Sequence, residues 1–472
     1  MNPDMDSRAS SLLASYATGC ALPVSKLLLV KQAILEQMEL GLSHKDLGLM
    51  MLPSFVDAFP SSLEPSPTTD PYFAIDLGGT SLKVVRIELQ DGMLQNIQKR
   101  EWVIPEECYE TDNGRLLGWI VECFVGEFAD DARNNHCKPV IGFCYSFACR
   151  QDNLDHGEQI LWTKRFKGTG LLGVDVVQAL RDEFAQRGVQ AVIPALMNDS
   201  VASLVGAQFA DARVRASVIL GTGTNCSYVE NVRNIKTLPT SYRKHGDRMI
   251  INTEWGDCTL PSRLGITLEE DDVVDRESAN PGHGLFEKLI SGLYIGDVAR
   301  RIIARIARDT GMFSRAEKGH RGLNLKDIED FDGAALSRVY HDISEDLTDI
   351  GVLFHESFGV EETTLEERRV VREVSSMIVT RSARLCAAAI VAIASRESAS
   401  QSGTRGGGRE PVVVSVDGST FTKFEGYREL VKAAIDELRE EEAGLPPIEI
   451  TLADGSSVCG AAICAAVFTR FT

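Results

Sequence analysis

The stretch from Tyr72 to Lys83 reads Tyr-Phe-Ala-Ile-Asp-Leu-Gly-Gly-Thr-Ser-Leu-Lys, and the chain is organised around it. Its apolar start predicts a buried strand that ends at Asp76. The run Leu82 to Leu89 is also rich in β-forming residues, so the two glycines should close a tight turn between strands. Backbone N–H groups in such a turn suit a phosphate, and an acid beside it suits Mg²⁺. An ordinary Gly-Gly hairpin turn is the alternative for this stretch alone.

Composition narrows the class of protein. The chain has 472 residues, 44% hydrophobic and 25% charged, which is typical of a soluble globular protein of two or three domains. A net charge of −19 opposes binding to nucleic acid or an anionic membrane. No apolar run reaches the ~20 residues of a membrane span, and the N-terminus lacks a secretory pattern. The sequence does not indicate an oligomeric state.

The cysteines indicate a compartment. The chain has 11 of them, an odd number, without a Cys-x-x-Cys spacing. This pattern predicts neither a zinc site nor a disulfide framework. We therefore expect reduced thiols and a cytoplasmic location.

The order of elements predicts an α/β fold. Residues 1 to about 22 are expected to be loose, and a Pro-rich linker at 59–71 leads into the first strand. The predicted helices are Val24–Leu40, Leu116–Phe128, Val174–Gln186, Gly284–Arg308, Leu385–Ser395, Tyr427–Glu442 and Val458–Phe468. Further predicted strands are Leu94–Ile104, Pro139–Phe147, Val192–Leu196, Val412–Val416 and Ile448–Leu452. Residues 396–410 are Gly- and Ser-rich, which predicts a flexible surface insertion.

A second Gly-rich turn repeats the first pattern. Residues Val218 to Glu230 read as an apolar strand, a Gly-Thr-Gly turn at 221–223 and a second strand. We interpret this as a weak internal duplication, with one strand–loop–strand in each half. Two lobes that each carry a phosphate loop could clamp one nucleotide between them.

Three polar stretches carry candidate chemistry. Asp199 follows a predicted buried strand and precedes a helix, so it is either a helix N-cap or a general base at the sheet edge. The stretch Asn252 to Gly256 places an amide and the acid Glu254 beside Trp255. Glu287 follows an Asn-Pro-Gly turn, and a solvent-exposed helix face is its simplest interpretation.

Taken together, these stretches resemble the hexokinase family of the actin-like ATPase superfamily, from about Tyr72 to the C-terminus. The resemblance implies a two-lobed actin-like ATPase fold, ribonuclease H-like, with the active site in the cleft between a small and a large domain. It also implies transfer of the terminal phosphoryl group of ATP to the 6-hydroxyl of a hexose, with glucose as the expected substrate and Mg²⁺ as cofactor.

The resemblance assigns residues to two groups. Those that fall where the family binds sugar are Ser146, Phe147, Thr163, Lys164, Asn198, Asp199, Asn225, Glu254 and Glu287. Those expected at the nucleotide are Asp76, Gly78, Gly79, Thr80, Ser81, Lys83, Gly221, Thr222, Gly223, Gly418, Ser419, Thr420, Gly455 and Ser456. Asp199 would be the general base, and Asp76 would orient Mg²⁺ through water.

The same resemblance suggests domain limits. Residues 1–71 would be an N-terminal helical segment and linker, 72–206 with 456–472 the small domain, and 207–455 the large domain. Three positions depart from the family's usual pattern and bear on sugar preference: Ala148 for Pro, Lys83 for Arg, and Gly284 for Gln. A kinase of another polyol, a catalytically weak sugar sensor and an ATP-driven binding module are the alternatives.

Overall fold

The computed structural model describes residues 3–57, 71–90, 93–129, 138–240, 242, 248–260, 264–313, 331–358, 360, 362–401, 410–453 and 456–469. Its strands are β1 (Leu52–Pro53), β2 (Tyr72–Leu77), β3 (Ser81–Gln90), β4 (Met93–Val103), β5 (Val140–Tyr145), β6 (Cys149–Asn153), β7 (His156–Gln159), β8 (Val192–Met197), β9 (Val214–Leu220), β10 (Thr224–Asn231), β11 (Arg248–Asn252), β12 (Val412–Asp417) and β13 (Ile448–Leu452). They form two large sheets and one small hairpin.

The helices cover and separate these sheets. They are α1 (Pro3–Cys20), α2 (Val24–Ser43), α3 (Arg115–Glu127), α4 (Val176–Gln186), α5 (Asp199–Ala210), α6 (Glu269–Glu277), α7 (Leu285–Ile290), α8 (Gly292–Thr310), α9 (Gly333–His341), α10 (Thr348–Phe358), α11 (Leu365–Gln401), α12 (Ser419–Thr422), α13 (Tyr427–Glu441) and α14 (Ser456–Phe468). The predicted α/β class is confirmed.

The first Gly-rich turn joins two strands of a five-stranded sheet, in the order β4-β3-β2-β5-β8. β2 pairs antiparallel with β3, which places Asp76 opposite Lys83. β2 also pairs parallel with β5, which places Asp76 opposite Cys144. The predicted strand–turn–strand is therefore confirmed, and the carboxyl ends of β2, β5 and β8 meet at one edge.

The second Gly-rich turn occupies the matching place in a six-stranded sheet, in the order β1-β11-β10-β9-β12-β13. β9 and β10 are antiparallel around residues 221–223, and β12 runs parallel to β9. Each large sheet thus contains one strand–glycine turn–strand unit, as the repeated pattern predicts.

The N-terminal residues belong to the core of the six-stranded sheet, so the expectation that 1–22 is loose is wrong from residue 3 onward. α1 is a helix whose Tyr16 donates its hydroxyl to Glu270 at 2.5 Å. Leu13, Tyr16 and residues of α2 such as Leu27 lie in one apolar cluster with α8 and α11. The sequence pattern missed this helix because its exposed face is rich in Ser and Ala.

The last helix, α14, packs on the five-stranded sheet and on α5. Two glycines allow the close approach, because a Cβ on Gly142 would lie 2.0 Å from the carbonyl oxygen of Ala461. A Cβ on Gly460 would likewise lie 1.9 Å from the carbonyl oxygen of Ala202. The C-terminus thereby joins the lobe that begins at Tyr72. The predicted boundary at 206 falls within α5, and the domain limits stay a prediction.

The long helix α11 corrects two expectations. It extends well beyond the predicted Leu385–Ser395 in both directions. Residues 396–401 of the predicted flexible insertion are its last turns, where Arg396 bonds to the fully buried Glu230. Residues 402–409 of that insertion, like the linker at 58–70, lie outside the described part. α11 is long and apolar enough to cross a membrane, but 83% of its apolar window is buried inside the protein, as in a core helix.

The predicted helix Gly284–Arg308 is also two helices, because Ser291 is extended between α7 and α8. The break has a physical reason. The first N–H groups of α8, from Gly292 and Leu293, donate to the carbonyl oxygens of Gly221 and Thr222 at 2.8 and 3.2 Å. The start of α8 therefore supports the second Gly-rich turn.

Candidate active site

A cavity of about 180 Å³ lies between the two Gly-rich turns, and it is lined from both sheets. Every predicted sugar-binding residue lines it: Ser146, Phe147, Thr163, Lys164, Asn198, Asp199, Asn225, Glu254 and Glu287. Of the predicted nucleotide residues, Gly78, Gly79, Thr222 and Gly223 line it as well. Residues more than 200 positions apart thus converge on one volume.

A chain of side-chain amides crosses from one sheet to the other. Asn225 uses its Nδ2 to donate to Oδ1 of Asn198 at 3.1 Å and to Oδ1 of Asn252 at 2.9 Å. Asn252 in turn donates to Oε1 of Glu254 at 2.8 Å. The three asparagines are buried, so each amide is held in one orientation. The network fixes Glu254 relative to the end of β8.

The helix cap at the end of β8 is Asn198 and not Asp199, and the role of Asp199 as general base stays a prediction. Asn198 Oδ1 accepts the N–H of Ser200 at 2.9 Å, and Asp199 is the first residue of α5. The Oδ1 atom of Asp199 also accepts that N–H, at 2.8 Å. No described residue hydrogen-bonds to its Oδ2, so this oxygen is available to a ligand in the cavity. The cap function therefore does not depend on the Asp199 side chain.

Glu287 is held by the second Gly-rich turn. Its Oε2 accepts the backbone N–H of Thr224 at 2.8 Å, and a Cβ on Gly223 would lie 2.5 Å from the same oxygen. The turn before α7 is pinned by buried Lys288, which donates to the carbonyl oxygens of Asn280 and His283 at 3.0 and 2.7 Å. Burial raises the pKa of the Glu287 carboxyl. This glutamate faces the cavity and not bulk solvent.

Glu254 has a rarely adopted backbone conformation and a carboxyl with a raised pKa. Its φ of 51° is in the left-handed region, which non-glycine residues rarely adopt. Burial raises the pKa of its carboxyl to about 7, against the opposing effect of the bond from Asn252. The Glu254 side chain is half-buried because the cavity beside it is open to solvent. Protein atoms surround the carboxyl on its other sides, and they reduce its solvation. Strain and a perturbed pKa at one residue are typical of functional sites.

Lys164 closes the cavity on the side of the five-stranded sheet. Its φ is 63°, and its Nζ donates to the carbonyl oxygen of Ser146 at 3.1 Å. The ammonium lies 5.2 Å from the centre of the Phe147 ring. Gly79 makes room for it, because a Cβ there would lie 2.4 Å from Lys164 Cδ. A glycine of the first turn therefore leaves room for a sugar-side residue in its present position.

The two Gly-rich turns are closed by their own backbone. Gly78 donates to the carbonyl oxygen of Ser81 at 3.0 Å, and Gly221 donates to that of Gly223 at 2.9 Å. Thr420 donates its hydroxyl to the carbonyl oxygen of Gly221 at 3.0 Å, which brings the predicted nucleotide residues 418–420 against the second turn. Gly418 has a φ of 110°, and a Cβ there would lie 2.4 Å from the Leu220 carbonyl.

Asp76 is a buried carboxylate behind the first turn. Its Oδ2 accepts the hydroxyl of Ser457 on α14 at 3.3 Å, and Cys144 lies opposite on β5. Burial raises the pKa of this carboxyl, while Lys83 acts against the shift. A cation close by would stabilise the ionised form, so the residue fits a water-mediated Mg²⁺ contact. The described residues contain no group of three His, Cys, Asp or Glu side chains that could cage a metal, as is usual for Mg²⁺ held with phosphates.

Some predicted nucleotide residues lie outside the lining of the cavity or outside the described part of the chain. Thr80 is exposed, and Ser81 donates its hydroxyl to Glu101 at 2.8 Å. Ser456 begins α14, but its side chain is outside the described part, as is all of Gly455. Asp76, Lys83, Ser419 and the rest of the 418–420 segment lie outside the lining of the cavity. Their nucleotide role stays a prediction.

Other cavity residues were not predicted. Asp257 follows the stretch Asn252 to Gly256, and Asn280 begins the Asn-Pro-Gly turn before Glu287. Asp257 accepts the N–H of Gly284 at 2.7 Å. Their proximity to Glu254 and Glu287 in the sequence could have indicated them. Met50 also lines the cavity, but it lies in an apolar stretch far upstream, and no local signal marks it.

Comparison with known proteins agrees with this geometry. Two family models described as hexokinase match residues 12–209 and 215–467. Hexokinase-1 of rice (Oryza sativa subsp. japonica) is 34% identical over 471 residues, covering 98% of this chain and 92% of the relative. Hexokinase-1 of Arabidopsis thaliana is 34% identical over 467 residues, covering 97% of this chain and 91% of the relative.

A solved structure agrees as well. The hexokinase from Schistosoma mansoni complexed with glucose has a TM-score of 0.85 and 27% identity, covering 97% of this chain and 99% of that one. The match extends over both sheets and the cavity between them, which confirms the two-lobed actin-like ATPase fold. The chain belongs to the hexokinase family and is an ATP-dependent phosphotransferase that acts on hexoses.

Proposed function

We propose that this hexokinase phosphorylates the 6-hydroxyl of glucose, with Mg²⁺ as cofactor and Asp199 as general base, giving glucose 6-phosphate and ADP. The observation that carries the proposal is one cavity that brings Asp199 together with the sugar-type ligands Asn225, Glu254 and Glu287. The glucose bound to the Schistosoma mansoni relative supports the choice of sugar.

Sugar recognition follows from the hydrogen-bonding chemistry of the lining. Each sugar hydroxyl both donates and accepts, so a pocket for it needs acceptors and donors in a ring. Glu254 and Glu287 accept from ring hydroxyls, while the amide of Asn198 and the ammonium of Lys164 donate. Both N–H groups of the Asn225 amide are used within the network, so Asn225 offers the sugar only its Oδ1 as an acceptor. The amide network holds these groups in place before the sugar arrives, which reduces the entropy lost on binding.

Asp199, which follows the end of β8, accepts the proton of the 6-hydroxyl. As the 6-oxygen attacks the terminal phosphorus, its proton passes to Oδ2 of Asp199, and the bond from that phosphorus to the bridging oxygen of ADP breaks. The backbone N–H of Ser200 already occupies Oδ1, which orients the carboxylate toward the cavity. A positioned base of this kind contributes roughly 10²–10⁴ in rate.

The phosphate side is built from the two Gly-rich turns. Their N–H groups and the hydroxyls of Thr80 and Thr222 would stabilise charge on the transferring group. Mg²⁺, when bound, neutralises charge on the phosphates, and Asp76 would orient it through water. Lys83 lies opposite Asp76 on β3, where its charge opposes the rise that burial causes in the pKa of that carboxyl. The cytoplasmic location stays a prediction from the sequence.

A sugar panel tests the proposal. Purified protein with ATP and Mg²⁺ should release ADP in step with phosphorylation of glucose, and faster than with fructose, mannose or glycerol at equal concentration. A faster rate with a non-hexose polyol would favour the alternative kinase. Glucose binding by calorimetry without turnover would favour a sensor.

A further inference from the structure

Asp257 is a further acid in the lining of the sugar cavity. It ends a short 3₁₀ turn, Trp255–Asp257, that begins directly after Glu254. The N–H of Asp257 donates to the carbonyl oxygen of Glu254 at 3.0 Å. The backbone that places the Glu254 carboxylate therefore places a second carboxylate in the same cavity.

The two carboxylate oxygens of Asp257 have different surroundings. Oδ1 accepts the N–H of Gly284 at 2.7 Å, and Nδ1 of His283 lies 3.6 Å from the same oxygen. Within the part of the chain that the structure describes, no group donates a hydrogen bond to Oδ2. The side chain is 29% exposed and lines the cavity, so Oδ2 is open to a ligand there.

The bond to Gly284 holds Asp257 beside the start of α7, which carries Glu287. Gly284 also lines the cavity, and a Cβ on it would come no closer than 3.8 Å to any residue other than its chain neighbours. The lining thus has open space at this glycine, and the Asp257 carboxylate is the polar group bonded to its backbone. Asp257 links the turn after Glu254 to the helix of Glu287.

The cavity has few unoccupied acceptors for the hydroxyls of a sugar. The general base aside, Glu254 and Glu287 each use one carboxylate oxygen within the protein, for Asn252 and for Thr224. Each therefore leaves one oxygen for a ligand. The hydroxyls at C1 to C4 of a hexose bring four donors, and a sugar enclosed by protein needs partners for them. Oδ2 of Asp257 is a third unoccupied carboxylate oxygen in this lining.

We propose that Asp257 is a specificity-determining residue of the sugar site, whose Oδ2 accepts a hydrogen bond from one of the hydroxyls at C1 to C4 of the hexose. The inference rests on the proposed function of the same cavity. A hydrogen bond to a carboxylate is stronger than one to a neutral amide. The acid therefore favours sugars that carry a hydroxyl at that carbon over the corresponding deoxy sugar.

The variant Asp257→Asn tests the contact and preserves the turn. Its amide oxygen can still accept the N–H of Gly284, whereas an amide nitrogen replaces Oδ2. We expect kcat/KM for glucose to fall about five- to tenfold, because a neutral hydrogen bond replaces one to a charged group. Asp272 is exposed on α6, so Asp272→Asn makes the same charge change and should leave kcat/KM unchanged.

A series of deoxy sugars identifies the partner hydroxyl. Wild type and Asp257→Asn are compared on 1,5-anhydroglucitol and on 2-, 3- and 4-deoxyglucose, each of which lacks one hydroxyl and keeps the reacting 6-hydroxyl. The ratio of kcat/KM between wild type and variant should stay near its glucose value for all but one analogue, and should fall to about one for that analogue. For an analogue that turns over too slowly, its inhibition constant against glucose gives the ratio.

A role in positioning alone makes a different prediction. If Asp257 only holds the turn before Glu287, the ratio is the same for glucose and for every analogue, and this result would overturn the proposal. The variant Asp257→Ala also removes the bond to Gly284, so its ratio on glucose should exceed that of Asp257→Asn. Its ratio should still fall on the same analogue. A fall on a different analogue would also overturn the assignment.

The measurements distinguish this inference from the proposed function. Rapid glucose phosphorylation by wild type, with an unchanged kcat/KM in Asp257→Asn, would overturn the role of Asp257 and leave the hexokinase mechanism intact. Failure of the wild-type protein to phosphorylate glucose would count against the proposed function, and the inference would fall with it.

Discussion

Asn252 donates its Nδ2 to Oε1 of Glu254 at 2.8 Å, while burial raises the pKa of the same carboxyl to about 7. The hydrogen bond favours the ionised form and the surrounding protein disfavours it. Because the folded pKa is above the ordinary value of 4.5, protonated Glu254 favours folding. Its contribution to the free energy of unfolding is lost as pH rises from about 4.5 through about 7.

The first prediction is a pH dependence of sugar binding. Ionised Glu254 accepts two hydroxyl bonds, whereas the protonated form must donate one, so glucose affinity should rise between pH 6 and 8. We expect KM for glucose to fall several-fold over this range, and kcat to change less. Steady-state kinetics of Glu254→Gln provide the comparison. An equally steep profile in the variant would mean that another group titrates.

The second prediction concerns Gly79. A Cβ there would lie 2.4 Å from Lys164 Cδ, so Gly79→Ala should displace the ammonium from the Ser146 carbonyl. A lost hydrogen bond of a charged group costs ~1.5–3 kcal/mol, so kcat/KM for glucose should fall by about 10- to 100-fold. The control is Gly126→Ala, where nothing lies within 4 Å. Equal activity of both variants would contradict the proposed constraint.

The third prediction concerns the contribution of Arg396, near the end of α11, to the free energy of unfolding. Arg396 donates to Glu230 at 2.7 Å and to Glu39 at 2.5 Å, and Glu230 is fully buried. Arg396→Ala removes the cation from that buried carboxylate, which keeps only its hydrogen bonds from neutral groups. The variant should lower the free energy of unfolding by about 3 kcal/mol. The exposed pair of Arg369 and Glu366 provides the control, where Arg369→Ala should cost ~0–1 kcal/mol. Urea denaturation measures both.

The segment itself should be dispensable. A short Gly-Ser linker in place of residues 402–409 should leave the melting temperature and activity nearly unchanged, because loop-closure entropy varies slowly with length. This expectation comes from composition alone. A large loss of activity in the linker variant would show that the segment packs or regulates.

The sequence predicted the site better than the architecture around it. The Gly-rich turns and the acids at 199, 254 and 287 were predictable because each follows a strand or turn with a strong local signal. The amide network was not, since Asn225 and Asn252 lie on separate strands and Asn198 follows a third. Met50 reaches the cavity only through the pairing of β1 with β11, which no local pattern encodes.

The errors share a cause. The insertion was placed too early because Arg396 and Glu397 look solvent-exposed in sequence, yet both are held by charged partners at the base of the six-stranded sheet. The helix predicted at Gly284–Arg308 is interrupted because Gly292 donates to the second Gly-rich turn. Periodicity describes one face of a helix and contains no information on such long-range partners.

The central claim is that Asp199 is the general base. Asp199→Asn keeps the size of the side chain but cannot take the proton of the 6-hydroxyl. The fold should tolerate it, because Asn198 is the residue that caps α5. Glucose and ATP should bind within about tenfold of wild type, since the substitution preserves one hydrogen bond and the surrounding amides.

The decisive measurement is single-turnover phosphorylation of glucose by folded Asp199→Asn, compared with wild type at saturating glucose and ATP. The account predicts that the rate of the chemical step in Asp199→Asn falls by roughly 10²–10⁴. A rate within about tenfold of wild type would contradict it and remove Asp199 from the mechanism.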